Sequence, residues 1–271
     1  MTEALATYLD VYRAQFKATI ALQLQYRVML TIWLVWTILE PIIYLVVWST
    51  VARSTGGRIG GYGPTDFAAY YLLAMWVTQL TFTWLMWEFE FRIREGQFSP
   101  KLLRPIHPIH ADIAENVTYK LLTAVVLVPV TALLVHLFQP TAATTLADVA
   151  LFVPALLIAF VLRFVSGWVL ALAAFWTTRV SAVNNLFFTV QIFLSGQMVP
   201  LSVLPDWLQV VTWLLPFRWM VAFPVELGLG RLDGRQIAIG FAMQLLWTAA
   251  WLLGVRVLWR AALRRYTAVG A

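Results

Sequence analysis

Six long apolar segments dominate this chain, at roughly 31–52, 67–87, 113–137, 149–175, 183–200 and 236–258. A run of about 20 apolar residues is the length that crosses a hydrocarbon layer as a helix. Backbone amides in lipid must be satisfied within the segment, so the helix is the economical solution. Composition agrees: 61% of the residues are hydrophobic and only 12% charged, against about 25% charged in a soluble domain. Fourteen tryptophans and nine tyrosines suit aromatic belts at two interfaces. The expected fold class is an all-α polytopic membrane protein with six transmembrane helices, forming a single transmembrane domain over residues 1–271.

Residues 1–28 are a different kind of element. Leu5, Leu9, Tyr12, Phe16 and Ile20 recur at helical spacing, with Arg13, Lys17 and Arg27 among polar neighbours. This pattern predicts an amphipathic helix lying on the membrane surface. Twelve arginines and lysines fall in the N-terminal segment, the 88–112 loop, the turn near Arg179 and the C-terminal end, against five on the opposite side. That bias predicts that both termini and the 88–112 loop are cytoplasmic. The net charge of +6 is scattered between apolar segments, which argues against nucleic acid as a partner. No cysteine is present, so disulfides, thiolate catalysis and cysteine metal sites are excluded. Residues 1–30 show no cleavable signal.

Residues 199–230 contain two short apolar stretches interrupted by Pro205, Pro216 and Pro224. Neither stretch is long enough to span, and proline breaks a helix. The reading is an external re-entrant or interfacial hairpin over 201–230, between the fifth and sixth helices, whose break must be covered by protein or water.

The most distinctive stretch is EFEFRIREGQFSPKLLRPIHPIH at 88–110. It is a charged, proline-marked loop between apolar segments. It combines charges, apolar anchors expected to be exposed, and a stiff backbone, as a docking surface for a cytoplasmic partner requires. The chain has no phosphate-binding loop: Lys17, Lys101 and Lys120 are followed by Ala18, Leu102 and Leu121, not by Ser or Thr. GGRIGGYG at 56–63 reads as a flexible external turn. His107 and His110 lack companions for a metal, and no Ser–His–Asp arrangement is apparent.

Two ionisable residues fall near the middle of apolar segments: Glu40, just before Pro41 in the first, and Arg163 in the fourth. An unpaired charge there is costly, so both are expected to face protein or a water-filled path. They lie at similar depth, and either a structural ion pair or a path-lining role fits. Asn184, Asn185, Gln191 and Gln197 form a polar series in the fifth segment. It either bonds neighbouring helices or lines a path.

Two passages carry a family resemblance. IREGQFSPKLLRPIHPI at 93–109, and VPLSVLPDWLQ followed by LLPFRWMVAFPVELGLG, resemble the permeases of ABC-2 type transporters, in particular the branch that accompanies a daunorubicin-type or sodium-export-type ATPase. The resemblance implies a permease subunit of an ATP-driven exporter in the bacterial inner membrane, forming half of the translocation path. It implies two copies of a cytoplasmic ATPase, which carry the ATP and Mg, and a second permease, identical or homologous. No cofactor or catalytic residue is expected on this chain. The coupling surface it implies comprises Arg92, Arg94, Glu95, Gly96, Gln97, Phe98, Leu102, Leu103, Arg104 and Pro105. A competing reading is an ion-coupled secondary transporter working alone, with Glu40 and Arg163 as coupling charges. The scarcity of intramembrane acids and of paired broken helices at mid-membrane speaks against it. A membrane-embedded lipid-modifying enzyme is a third reading, disfavoured by the missing His/Asp cluster.

Overall fold

The architecture comes from a computed structural model, which describes residues 2–103, 106–177 and 180–265. Among the described residues the regular structure is helical. α1 (Thr2–Gln25) precedes α2 (Arg27–Ser54), α3 (Pro64–Thr81), α4 (Leu85–Arg94) and the one-turn α5 (Ser99–Leu102). α6 (Ile109–Phe138), α7 (Leu146–Leu172) and α8 (Ser181–Leu194) follow, then the short α9 (Asp206–Leu214), α10 (Phe217–Met220) and α11 (Ala222–Gly228), and finally α12 (Gly234–Arg265). Among the described residues four helical stretches are long and apolar enough to cross a membrane: Thr31–Ser54, Ile109–Phe138, Leu146–Phe175 and Gly234–Arg264.

Local chemistry fixes several boundaries. α3 starts on Pro64, and Asp66 Oδ2 accepts from the Gly63 amide at 2.9 Å. α7 starts with a reciprocal cap: the Thr145 amide donates to Asp148 Oδ2 (2.8 Å) and the Asp148 amide to Thr145 Oγ1 (3.3 Å). α6 stops at Gln139, which adopts the left-handed conformation (φ 49°) before Pro140.

α3 is the centre of the bundle. Eleven of its residues are buried, including Phe67, Tyr70, Tyr71 and Met75. α2 packs along it, α6 and α7 flank it, and α11 closes on it. α12 runs beside α7, and α1 lies along α6. The seam between α1 and α6 is polar at one point, where the Tyr12 hydroxyl and His110 Nδ1 are 2.9 Å apart. His107 sits in a ring cluster, 4.5 Å from Trp259 and 5.6 Å from Trp168 between centroids. Among the described residues no group of three ligand-type side chains could hold a metal.

Two expected helices are shorter than the apolar runs that predict them. The second run, 67–87, is not one helix: α3 ends at Thr81, residues 82–84 are extended or irregular, and α4 begins at Leu85. The fifth run, 183–200, is helical only to Leu194. The 14-residue α8 is about 21 Å long at 1.5 Å per residue, short of a hydrocarbon core of about 30 Å. Gly196 stops it with φ +87°, and the Tyr70 hydroxyl and Ala222 Cβ stand where its own Cβ would be, so only glycine fits. The irregular stretch that follows is buried yet satisfied. Tyr70 donates to the Gly196 carbonyl (2.7 Å); Tyr71 (2.9 Å) and Trp48 (3.1 Å) both donate to that of Met198.

Within 201–230, α10 and α11 are enclosed by the bundle, with Trp219, Met220, Phe223 and Val225 all buried. Arg218 and Glu226 pair there at 2.8 Å, and Arg218 lies 4.5 Å from the Trp213 ring centroid. α9 instead exposes Trp207, Val210 and Leu214. The segment meets the Gly-rich turn: Ser202 donates to the Gly60 carbonyl (2.7 Å), and Arg231 pairs with Asp66 (3.1 Å).

Candidate functional site

The break between α3 and α4 organises the polar interior. Phe82 is extended (φ −59°, ψ 141°), so its carbonyl is not held in a helical ladder. Lys120 on α6 supplies the partner, its Nζ donating to that carbonyl at 2.8 Å. Lys120 is 6% exposed and lies 5.1 Å from the Phe160 ring centroid. Just above the break, Arg163 on α7 donates to Thr81 Oγ1 (3.0 Å) and stacks over the Phe82 ring. With its amide turned so that both ends are satisfied, Gln191 accepts from Arg163 Nε (3.1 Å) and Nη2 (2.5 Å). Two buried cations therefore stabilise a broken helix through neutral acceptors.

Glu40 and Arg163, the two charges expected to pair, form no ion pair with one another. Arg163 feels the Glu40 carboxylate through space, but Thr81 and Gln191 occupy its guanidinium. Glu40 Oε1 accepts from Gln197 Nε2 at 3.1 Å. The polar series of the fifth run is used for bonds between elements. Asn184 donates to the Met86 carbonyl (2.7 Å) and Asn185 accepts from Trp87 Nε1 (3.1 Å). These two join α8 to α4, Gln191 joins α8 to α7, and Gln197 reaches α2.

Beside the break lies a groove. A cavity of about 270 Å³ is lined by Trp33, Trp36, Glu40 and Tyr44 of α2, Tyr71, Thr78 and Gln79 of α3, Tyr119, Phe188 and Gln197. A second, of about 290 Å³, continues it past Tyr26, Leu85, Glu88 and Glu115. Both share Trp33, Phe82, Trp84 and Tyr119. Thus the α3–α4 break forms part of the groove wall, and Glu40 lies towards one end. The Trp84 and Trp87 rings stack at 4.4 Å, and Trp33 sits 5.2 Å from Trp84.

α4 leads from the groove to the charged loop, and the structure separates the residues expected there. Arg92 is buried. Its Nη1 donates to Asp112 Oδ1 (2.7 Å), and its Nη2 to Glu88 Oε2 (2.6 Å) and Glu115 Oε2 (3.2 Å). Lys101 reaches the same Asp112 oxygen at 3.7 Å. Burial, opposed by Arg92 and aided by the neighbouring carboxylates, raises the Glu88 carboxyl above its ordinary value. Burial lowers the Lys101 ammonium. Phe98, expected as an exposed anchor, is fully buried against Phe89 (5.3 Å), Phe175 (5.4 Å) and Trp259 (6.2 Å). The reason is the Gly96 turn (φ +67°), which folds the loop back onto α7 and α12. Leu102 is half-buried in the same cluster. Glu95, Gln97 and Leu103 are exposed, Leu103 by 88%. Gly96 is half-buried, and Arg104 and Pro105 lie outside the described residues. Arg94 ends α4, but its side chain is outside the description.

The sequence matches the family described as ABC-2 family transporter protein over residues 34–270. The chain belongs to that family. It is accordingly a multi-pass membrane protein of the transporter class, and its helices are apolar enough to suit that setting. No curated protein matches the sequence. The match begins within α2, so the family assignment covers the break, the 201–230 segment and the groove wall apart from the residues before 34, Tyr26 and Trp33 among them, but not α1.

Sequence reasoning missed Lys120, although it lies inside the third apolar run and carries the signal that singled out Glu40 and Arg163. It also missed the buried pair Arg218–Glu226, because Arg218 reads as one more loop charge until α10 and α11 fold inward.

Proposed function

We propose that this chain is the permease subunit of an ATP-driven exporter, contributing half of a translocation path and driven by a separate cytoplasmic ATPase. In this reading two permeases, identical or homologous, act with two ATPase copies that carry the ATP and Mg. The chain crosses a bacterial inner membrane six times: through α2, α3 with the residues after it to 87, α6, α7, α8 with the stretch after it, and α12. Both termini and the 88–112 loop face the cytoplasm, α1 lies at the interface, and 201–230 is a re-entrant hairpin on the outside.

One observation carries the proposal beyond family membership. α4 runs unbroken from the groove wall at Trp84 to Glu95, at the exposed edge of the loop. A force on the loop therefore has a direct route to the groove through a ten-residue helix. The surface that meets the ATPase comprises Glu95, Gln97 and Leu103, with Arg94, Arg104 and Pro105 included from the sequence alone. Arg92, Phe98 and Leu102 stabilise the loop from within.

The test is purification of the tagged, full-length chain from its native membranes, followed by assay of ATP hydrolysis. An ABC ATPase chain should co-purify. Leu103→Ser should lower its coupled hydrolysis at least fivefold while leaving the melting temperature of the permease unchanged. Transport by the permease alone, driven by an ion gradient without ATP, would overturn the reading.

A further inference from the structure

The groove differs in charge from the molecule that contains it. The chain is net +6, yet among the described side chains, which do not include that of Arg27, no arginine, lysine or histidine lines either cavity. The charged groups there are Glu40, Glu88 and Glu115. Glu88 and Glu115 are held by Arg92. Glu40 is not held in this way: among the described residues it forms no ion pair, and its carboxylate meets the neutral amide of Gln197 and the hydroxyl of Tyr44.

Around Glu40 the polar groups that lack partners can accept hydrogen bonds. Gln197 donates through Nε2, which leaves its buried Oε1 without a partner. Thr78 Oγ1, on the same cavity wall, is also buried and unpartnered. A buried acceptor left unmade costs about 1–3 kcal/mol, so the site favours an occupant that brings N–H donors and a positive charge. The rest of the wall is aromatic: Trp33, Trp36, Tyr44, Phe82, Trp84 and Phe188. Such rings attract a cation through their faces and cover an apolar body by stacking.

From this juxtaposition we propose that the groove binds a protonated amphipathic amine: one ammonium bearing N–H groups, seated beside the Glu40–Gln197 pair, with an apolar body along the tryptophans. The proposal rests on the transport reading above and names the substrate class of that path. A quaternary ammonium satisfies the charge and the rings but cannot donate to Gln197 Oε1. A neutral amide satisfies only the walls. A zwitterionic lipid brings a phosphate beside its ammonium, and among the described side chains no cation lines the groove to receive it.

The test uses the full-length chain in phosphatidylcholine nanodiscs and monodansylcadaverine, a primary ammonium joined to a neutral aromatic sulfonamide. Energy transfer from tryptophan to the dansyl group reports binding beside Trp33, Trp36 and Trp84. Saturable transfer above that of empty discs is expected. The N-acetyl analogue should bind at least tenfold more weakly, and the N,N,N-trimethyl analogue should fall between. Glu40→Gln should weaken the ammonium probe at least tenfold and leave the N-acetyl probe unchanged, which also shows that the variant is folded. Gln197→Leu should narrow the gap between the ammonium and trimethyl probes. Equal affinity for the N-acetyl probe, undiminished binding to folded Glu40→Gln, absence of saturable transfer, or displacement of the probe when phosphatidylethanolamine replaces phosphatidylcholine would each overturn the proposal. Failure here with an ATPase still co-purifying removes the substrate class alone. Loss of the ATPase association removes the transport reading whatever binds in the groove.

Discussion

Replacing Arg92 tests whether the 88–112 loop is held from inside or presented outward. Its guanidinium faces three carboxylates, at 2.7 Å (Asp112), 2.6 Å (Glu88) and 3.2 Å (Glu115). Arg92→Met leaves them facing one another with only Lys101, 3.7 Å from Asp112, as a nearby cation. Breaking a buried pair from one side costs about 3–5 kcal/mol, because the remaining charge is left uncompensated. Asp112 is fully enclosed, but the Glu88 and Glu115 side chains are each 34% exposed and partly screened by solvent. The low end, about 3 kcal/mol, is therefore appropriate. At about 2–4 °C per kcal/mol for a chain of this size, the midpoint should fall by about 6–12 °C. The assay is thermal melting in mild detergent, followed by size-exclusion chromatography with tryptophan fluorescence at one fixed heating time, since unfolding of such a protein is a rate as much as an equilibrium. Asp112→Asn in the Arg92→Met background should recover part of the loss, because it removes the charge that was stranded. A shift no larger than that of the exposed control Gln97→Ala would refute this account and return Arg92 to the docking surface.

Two further predictions follow from the same packing. Burial holds the Glu88 carboxyl above its ordinary value of 4.5, so the folded state keeps its proton where the unfolded state has lost it. Stability contributed at this site is therefore lost as pH rises from 4.5 through the folded value. The melting temperature of Glu88→Gln relative to the parent should accordingly rise between pH 4.5 and neutrality; a gap that is flat or reversed would refute the sign. At the opposite end, a Cβ on Gly240 of α12 would stand 1.9 Å from Phe223 Cε2. Gly240→Ala should destabilise by about 1–3 kcal/mol through overpacking despite alanine's better helix propensity, and Phe223→Leu in the same chain should relieve it in the same melting assay.

The long apolar runs gave α2, α6, α7 and α12 because each is set by composition and length, which a linear reading measures directly. The ends of the shorter helices depend on partners far away in sequence. Nothing in Phe82-Thr83-Trp84 signals a break, since none of the three is glycine or proline. The break is stabilised by Lys120, 38 positions on, whose ammonium supplies the donor the Phe82 carbonyl needs. The end of α8 was more legible, because Ser195-Gly196 is a stop signal, but a long apolar run after it obscures the boundary. Phe98 illustrates the limit at the site itself. A phenylalanine between charges and prolines looks like an exposed anchor; only the Gly96 turn and the ring cluster of Phe89, Phe175 and Trp259 put it inside. Glu40 and Arg163 stand out in the sequence as charges within apolar segments; in the fold Arg163 is buried and Glu40 half-buried, and their choice of amide and hydroxyl partners is a matter of three-dimensional reach.

The gap at Phe82–Trp84 also has a mechanical meaning. It makes α4 a separate lever of ten residues, about 15 Å long. Its fulcrum is the Phe82 carbonyl clamped by Lys120, and its handle is the exposed edge at Glu95. A tilt of about 10° displaces the handle by about 2.6 Å, with the arm length taken from the helical rise, and it rotates Trp84 almost in place. Because the chain is not helical across the gap, that rotation is not transmitted to α3, whose tyrosines clamp the Gly196 and Met198 carbonyls. In the proposed transporter, a continuous helix from Pro64 to Arg94 would twist those clamps with every tilt of its loop end; the divided one would turn a groove wall and leave the anchorage at the far end still.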